Sequence, residues 1–412
     1  MAPLKTQVAV IGGGPAGLVA ALALARLGVP AVLVASAPVA GGASPQSSPQ
    51  GSLRVDNRTT ALMQPSVTAL TALGVWPRCR DHAAPLRAMR IVDDTGRLWR
   101  APEVKFEAAE IGLDAFAWNI ENRHLVAALW ERVATEAALT CVAAQATSLA
   151  QGPSGATVAL ADGQRLESRL VVAADGRNSL GRTSAGIAMA SRSSAQTALT
   201  FTFAHARPHH DVSTEFHTAR GPFTVVPLPG NRSSLVWMTG SGEAAHLARL
   251  EGRALDADIE RRAHSILGKV EVEVGRGAFP IVVATARSFG AGRIALVGEA
   301  AHVFAPIGAQ GLNLGLRDAV TIAEIAAAIH RTGGDPGDAA ARYDRRRRAD
   351  IMSRTVAVDL LNRSLLSDFL AVQGVRGLAL HALDRIGPLR RAAMREGIAP
   401  HTGLPGLMVA EG

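Results

Sequence analysis

Residues 8–25 read VAVIGGGPAGLVAALALA, eighteen positions without a charge close to the first residue. On length alone this run sits at the lower edge of a membrane-spanning helix. Lys5 ahead of it would also suit a secretion signal. The cluster Gly12, Gly13, Gly14 and Pro15 in its middle argues against both, because glycine and proline weaken a helix interior. The pattern divides instead into a short β-branched run, Gln7–Ile11, and an Ala/Leu-rich run, Ala16–Gly28. The first predicts a buried strand, the second a helix stopped by glycine. A further strand, Pro30–Ser36, comes next, so Gly12-x-Gly14-x-x-Gly17 is the turn of a strand–turn–helix–strand unit. Glycines there let the backbone approach a pyrophosphate, and the helix start offers free N–H groups and a positive dipole end.

The remaining pattern predicts an alternation of layers. Pro38–Ser52 (PVAGGASPQSSPQGS) is a Gly/Ser/Pro loop. Asp56–Trp76 carries apolar residues at helical spacing up to Leu73 and stops at Gly74. Arg87–Ala101 reads as a hairpin around Asp94-Thr95-Gly96, and Asn122–Thr135 as an amphipathic helix. Thr157–Asp175 predicts a hairpin turning at Asp162-Gly163 and then a buried strand. Residues 190–275 are strand-rich, with a hairpin at Phe223–Met238; Arg293–His302 is a buried strand with its turn; Leu312–Ile329 and most of the chain beyond it are helical. The fold class is therefore α/β: a Rossmann-like dinucleotide-binding domain, an inserted, mostly antiparallel β-sheet domain, and a helical C-terminal end. The predicted boundaries are 1–74, 102–186 and 276–345 for the first, 75–101 and 187–275 for the second, and 346–412 for the last. No internal repeat is found.

Composition narrows the function classes. The 412 residues are 48% hydrophobic and 19% charged, ample for a large core. Two cysteines, Cys79 and Cys141, are too few for a disulfide framework and fit a reducing compartment. Neither they nor the His209-His210 pair has metal-ligand spacing, so no metal is expected. The formal charge is +8. A basic balance favours nucleic acid or an anionic membrane surface. With 4% aromatic residues and no nucleic-acid motif, nucleic acid is set aside. Val358–Leu383 has apolar residues at helical spacing, followed by Arg385, Arg390, Arg391 and Arg395. It reads either as an interfacial helix with a basic flank or as a core-facing helix with a solvated tail.

Two further motifs resemble the first in logic: a buried strand ends in a turn with an acid. One is LVVAADGRNSLGR (Leu170–Arg182), whose Asp175-Gly176 is also what an ordinary turn requires. The other is RIALVGEAAHVFAPIGAQGLNLGLRDA (Arg293–Ala319), with Gly298-Glu299 at the strand end and a helix starting near Gly311. Together with GPFTVVPLPGNRSSLVWM, RTTALMQPSVTALTALGVW and YDRRRRAD (Tyr343–Asp350), these stretches resemble the single-component FAD-dependent aromatic hydroxylases. The nearest branch is the ubiquinone-biosynthesis hydroxylases, and the resemblance runs along nearly the whole chain.

The resemblance implies FAD as cofactor and NAD(P)H as reductant. Hydroxylation of a polyprenylated phenol by O2 would then proceed through a flavin hydroperoxide. It places cofactor binding at Gly12, Gly14, Pro15, Ala16 and Gly17 around the pyrophosphate, with Arg123 helping to fix the FAD. Asp175 and Gly176 would serve FAD and nicotinamide binding, and Gly298-Glu299 the ribityl chain. Pro306, Gly308, Gly311, Leu312 and Asn313 would lie along the flavin, the last three offering backbone N–H groups to its pyrimidine ring. Pro227, Trp237 and Met238 would line the substrate pocket, or be ordinary sheet core. Two departures stand out. The second strand ends at Ala35 and Ser36, where a ribose-binding acid is usual, a loss of roughly 1–3 kcal/mol that Ser36 offsets only by a neutral hydrogen bond. Glu299 replaces the usual Asp. No catalytic base is identified: His302 beside the third motif is the first candidate, with a structural hydrogen-bonding role as its other reading, and His124 ranks behind it. Expected partners are the prenylated substrate, an anionic membrane surface and a quinone-biosynthesis assembly, with the protein cytoplasmic or peripheral on the inner membrane. The alternatives are a related monooxygenase on a soluble aromatic, and a non-catalytic accessory protein that binds little flavin.

Overall fold

The computed structural model describes residues 3–36, 58–96, 100–366, 381–383, 385–398 and 403–410, with side chains at all of these except 357–366 and 398. The predicted loop Pro38–Ser52 and the side chains of 358–380, which carry the predicted interfacial face, lie outside that description.

The uncharged N-terminal run is core. Leu4–Ile11 is a strand in the middle of an eight-stranded sheet, parallel to Ala31–Val34 on one side and to Arg165–Ala173 on the other. Leu139–Val142 extends the sheet past the first neighbour and Ile294–Leu296 past the second, again in parallel. Parallel strands buried on both faces need no polar alternation, which explains why VAVI reads as a continuous apolar run. Val8, Ala9 and Val10 are fully buried, as are Leu18 to Ala21, Ala23 and Leu24 of the helix Pro15–Arg26. Among the described residues no helix is long and apolar enough to cross a membrane.

A second sheet of nine strands is antiparallel apart from one parallel pair, Ala88–Asp93 with Val212–Thr218. Its inner strands are Met189–His205, Arg232–Gly240 and Gly221–Leu228. The strand Gly277–Ala286, expected among the cofactor-domain segments, pairs with Met189–His205 in this sheet. A third, small sheet sets Thr59–Met63 and Ala83–Leu86 on either side of Ala117–Glu121. It is tied to the second sheet: Asn119 Nδ2 donates to Pro227 O at 2.8 Å, and Thr59 Oγ1 to Ser234 Oγ at 2.9 Å.

Two sequence expectations are corrected. The segment before Leu73 is not one helix: Thr59–Met63 is a strand, and the helix is Gln64–Ala72, opened by Pro65. Pairing with Ala117–Glu121 outweighs the helical spacing, and proline suits a first helical turn. The hairpin after Arg87 does not close at Gly96. Ala88–Asp93 pairs with Val104–Glu107, beyond Pro102, which has no N–H to give a ladder. Asp93 ties the longer connection by accepting from Thr95 and from Ala101 N at 2.9 Å.

Candidate active site

The three motifs meet because their strands are neighbours. Ile11, Ala173 and Leu296 end adjacent parallel strands, so Gly12, Asp175 and Gly298 emerge at one carboxyl edge of the sheet. This is where open α/β sheets bind ligands. Gly12 has φ +117°, and a Cβ there would lie 2.2 Å from Ala174 O. At Gly17 a Cβ would lie 2.1 Å from Gly12 O, so the turn and its helix close up only with glycine at both positions. Gly14, by contrast, faces open space on its Cβ side. Gly298 sits against Ala16, at 3.2 Å from its would-be Cβ, which brings the third motif onto the first helix. Ser36 stands exposed at the end of its strand.

Two helix starts open onto this edge without a side-chain cap. The first helix has Gly14 as its cap residue; the long helix Gln310–Arg331 has Ala309. Their first N–H groups are left for a ligand, at the positive dipole ends. The turn into the second helix is bent by consecutive left-handed residues, Gly308 (φ +64°) and Ala309 (φ +52°).

Asn313 does more than present a backbone N–H. Its side chain is buried, with Oδ1 accepting from Met63 N at 2.9 Å and Ser66 Oγ at 2.7 Å, and Nδ2 donating to Ala61 O and Ala309 O at 2.8 and 2.7 Å. It pins the helix start to the strand Thr59–Met63. Asp175 Oδ2 accepts from Gly181 N at 3.0 Å, while its Oδ1 is buried with no partner among the described residues. Glu299 is engaged by Arg177 in a two-pronged pair, both contacts 3.1 Å. Arg182 crosses from the second motif to Ala300 O at 3.1 Å. Arg123 pairs with the buried Glu121 at 2.9 Å, beside the stacked rings of His82 and His124. The His124 imidazole is held below its ordinary value by burial, then by the neighbouring His82 and Arg123.

His302 is fully buried, with Nε2 2.6 Å from Asp318 Oδ2. The structure thus gives it the structural partner that was its other reading. Asp318 also accepts from Gly298 N at 3.2 Å and from Arg347 Nε at 2.7 Å. Burial pushes its carboxyl up, and the facing Arg347 and His302 more than offset that, holding it below the ordinary range. Asp350 is lowered against burial in the same way, by Arg347, Arg317 and Arg354. Sequence reasoning assigned no role to Arg177, Asp318, Arg347, Asp350 or Arg354. The signal was present in YDRRRRAD: a fourfold arginine run on a helix with an apolar face turns at least one arginine inward, where it needs a carboxylate.

The three substrate-pocket residues separate. Met238 packs with Ala198, Ile281, Ala305 and Ile307, next to the turn that carries the third motif. Trp237 lies on the opposite face, among Phe223, Leu255 and Ile259, with the Arg262 guanidinium 4.4 Å over its ring. Pro227 offers its carbonyl to Asn119. Among the described residues no cluster of three His, Cys, Asp or Glu is placed to hold a metal ion.

These residues fit a flavin dinucleotide. The glycine cradle is one that a Cβ would fill, two uncapped helix starts converge, and Asp175 Oδ1 is an orphaned buried acceptor suited to a hydroxyl donor. Comparison with known proteins agrees. A family model described as FAD binding domain matches residues 5–356. The ubiquinone hydroxylase UbiL of Rhodospirillum rubrum is 35% identical over 392 residues, covering 94% of this chain and 88% of that protein. The 3-demethoxyubiquinol 3-hydroxylase of Escherichia coli is 29% identical over 95% of this chain and 97% of its own. Among solved structures, p-nitrophenol 4-monooxygenase from Pseudomonas putida superposes with a TM-score of 0.75, covering 96% of this chain and 98% of that one, at 19% identity.

Proposed function

The chain belongs to the FAD binding domain family and is an FAD-dependent monooxygenase, and from that premise we propose that it hydroxylates the ring of a polyprenylated phenol in ubiquinone biosynthesis, with O2 and NAD(P)H. The observation that carries the reading is the convergence of three motifs, 12–17, 175–176 and 298–313, on one sheet edge, together with relatives of near-equal length that are ubiquinone hydroxylases.

When bound, FAD supplies electron transfer and oxygen activation. The chain's own residues do the rest. The Gly12–Gly17 turn and the first helix start bind the pyrophosphate, aided by Pro15 and Ala16, and Arg123 helps to fix the FAD. Asp175 Oδ1 accepts from a cofactor hydroxyl, with Gly176 in the turn beside it. Glu299, steadied by Arg177, faces the ribityl chain. Pro306 and Gly308 shape the loop, and the N–H groups of Gly311, Leu312 and Asn313 stabilise negative charge on the ring system, with the helix dipole behind them. The apolar patch of Met238, Ile281, Ala305 and Ile307 keeps water from the reacting face. In this reading the segments 1–74, 102–186 and 276–345 hold the cofactor, apart from the strands Val104–Glu107 and Gly277–Ala286, which complete the second sheet, while 75–101 and 187–275 hold the substrate and 346–412 form the outer support.

A prenyl tail resides in a bilayer, so the proposal includes peripheral attachment at the inner membrane from the cytoplasmic side, alongside other enzymes of the pathway. Ile386 and Leu389 are exposed beside exposed Arg385, Arg391 and Arg395, which supports it. The test is direct. The purified protein should retain an oxidised-flavin spectrum after added FAD and desalting, and should convert a short-chain prenylphenol with matching NAD(P)H consumption. A protein that binds no FAD, or one that oxidises NAD(P)H without forming a hydroxylated product, overturns the reading.

A further inference from the structure

One chain of charges, most of it buried, runs behind the candidate active site and touches it at two separate points. At one end Asp318 Oδ2 accepts from Gly298 N, in the strand-end turn of the third motif. Asp318 Oδ1 accepts from Arg347 Nε, and Arg347 pairs with Asp350. Asp350 also accepts from Arg317 Nη1 and from Arg354 Nε, both at 2.8 Å. At the far end Arg354 Nη1 donates to Gln310 Oε1 at 3.1 Å, at the start of the long helix. Arg347, Asp350 and Arg354 all lie on the helix Ala339–Leu366, outside the three motifs.

Gln310 transmits this to the loop. Its Nε2 donates to Gly308 O at 3.1 Å, while Asn313 Nδ2 takes Ala309 O at 2.7 Å. The carbonyls of both left-handed residues are therefore tied back by side chains. That leaves the N–H groups of the following residues as the groups turned toward a ligand. Ala309 has no glycine freedom, and such a conformation persists only where its surroundings over-determine it. Arg354 is part of that over-determination.

We propose that Asp350 and Arg354 are positioning residues for the flavin loop: through Gln310 they fix the direction of the Gly311–Asn313 N–H groups, and through Arg347 and Asp318 the same chain fixes the Gly298 turn. The inference rests on the proposed function, since it requires flavin at that loop. Asp350→Asn removes a carboxylate from among three arginines and tests folding as much as positioning. Replacing Arg354 leaves Asp350 paired with Arg347 and Arg317, so Arg354→Met and Arg354→Lys carry the decision.

The experiment measures, on wild type and both variants, FAD affinity by fluorescence quenching, the reduction potential of bound FAD, and the Tm of the cofactor-free protein. Arg354→Met should weaken FAD about tenfold, the scale on which outer-sphere partners act on a bound group. It should also move the potential to more negative values, because misdirected N–H groups stabilise the reduced ring less, and leave the Tm near wild type. Arg354→Lys, which keeps a donor, should recover most of both. Wild-type affinity and potential in Arg354→Met, whatever its Tm, overturn the inference while leaving the proposed function standing. A wild-type protein that takes no FAD removes the function reading and the inference with it.

Discussion

At the scale of single residues, neighbouring glycines of one motif do different work. A Cβ at Gly17 meets the Gly12 carbonyl at 2.1 Å, and backbone cannot swing aside as a side chain can. Gly17→Ala should cost at least about 1–3 kcal/mol and lower the Tm of the cofactor-free protein. Gly14 has ordinary backbone angles and open space beside it. Gly14→Ala should leave that Tm nearly unchanged and weaken FAD, because the methyl group enters the cofactor's space. Thermal melts and FAD titrations of the two variants separate the roles. Asn313 was foreseen for its backbone alone, and its side chain turns out to hold four hydrogen bonds to segments about 250 residues away and to its own loop. Asn313→Ala should destabilise by about 1–3 kcal/mol through orphaned buried groups, and should loosen flavin as well. No local pattern reveals the three distant partners, because they lie on the strand Thr59–Met63 and the helix that follows it, about 250 residues away.

Elements carry a second set of lessons. Trp237 and Met238 are adjacent on one strand and so point to opposite faces. That alternation alone forbids both from lining one pocket, and it was readable without coordinates. Trp237→Ala should cost about 3–5 kcal/mol with KM for the aromatic substrate unchanged. Met238→Ala should alter KM, since its side chain packs beside Ala305 and Ile307. The helix Gly387–Ile398 is not free on the surface as a basic tail. Met394 is buried against Val104 and Phe106, and Arg390 pairs with Glu110 at 2.6 Å. The hydrogen bond from Arg390 holds the Glu110 carboxyl below its ordinary value, against the pull of burial. Its contribution is therefore fully present above the ordinary carboxylate range and is lost as pH falls through the lowered value. Both partners reach solvent, so the pair is worth only about 0–1 kcal/mol. Glu110→Gln should remove that part of the acid sensitivity, read as a smaller difference in Tm between neutral and acidic buffer, with activity at neutral pH little changed.

For the whole molecule, the segments proposed to bind the cofactor span residues 12 to 313 and close on one sheet edge. A ligand bound there holds together strands that are far apart in the chain. FAD at a hundred times its Kd should stabilise by about 2.7 kcal/mol, visible as a single upward-shifted unfolding transition and as protection of both sheets from protease. If FAD protected only the first sheet, the substrate sheet would be an independent unit. Sequence by itself determined the fold class, the N-terminal strand–turn–helix, the hairpins at Asp162-Gly163 and within Phe223–Met238, and which strand ends bear acids. These depend on periodicity and turn chemistry, which act over a few residues. Tertiary structure alone decided that Thr59–Met63 is a strand, that Glu299 meets Arg177, that His302 pairs with Asp318, and that the arginines of YDRRRRAD and the helix beyond it reach Asp318 and Gln310. Each of these is settled by a partner 16 to 122 residues away, and only sheet order and helix packing bring such partners within reach.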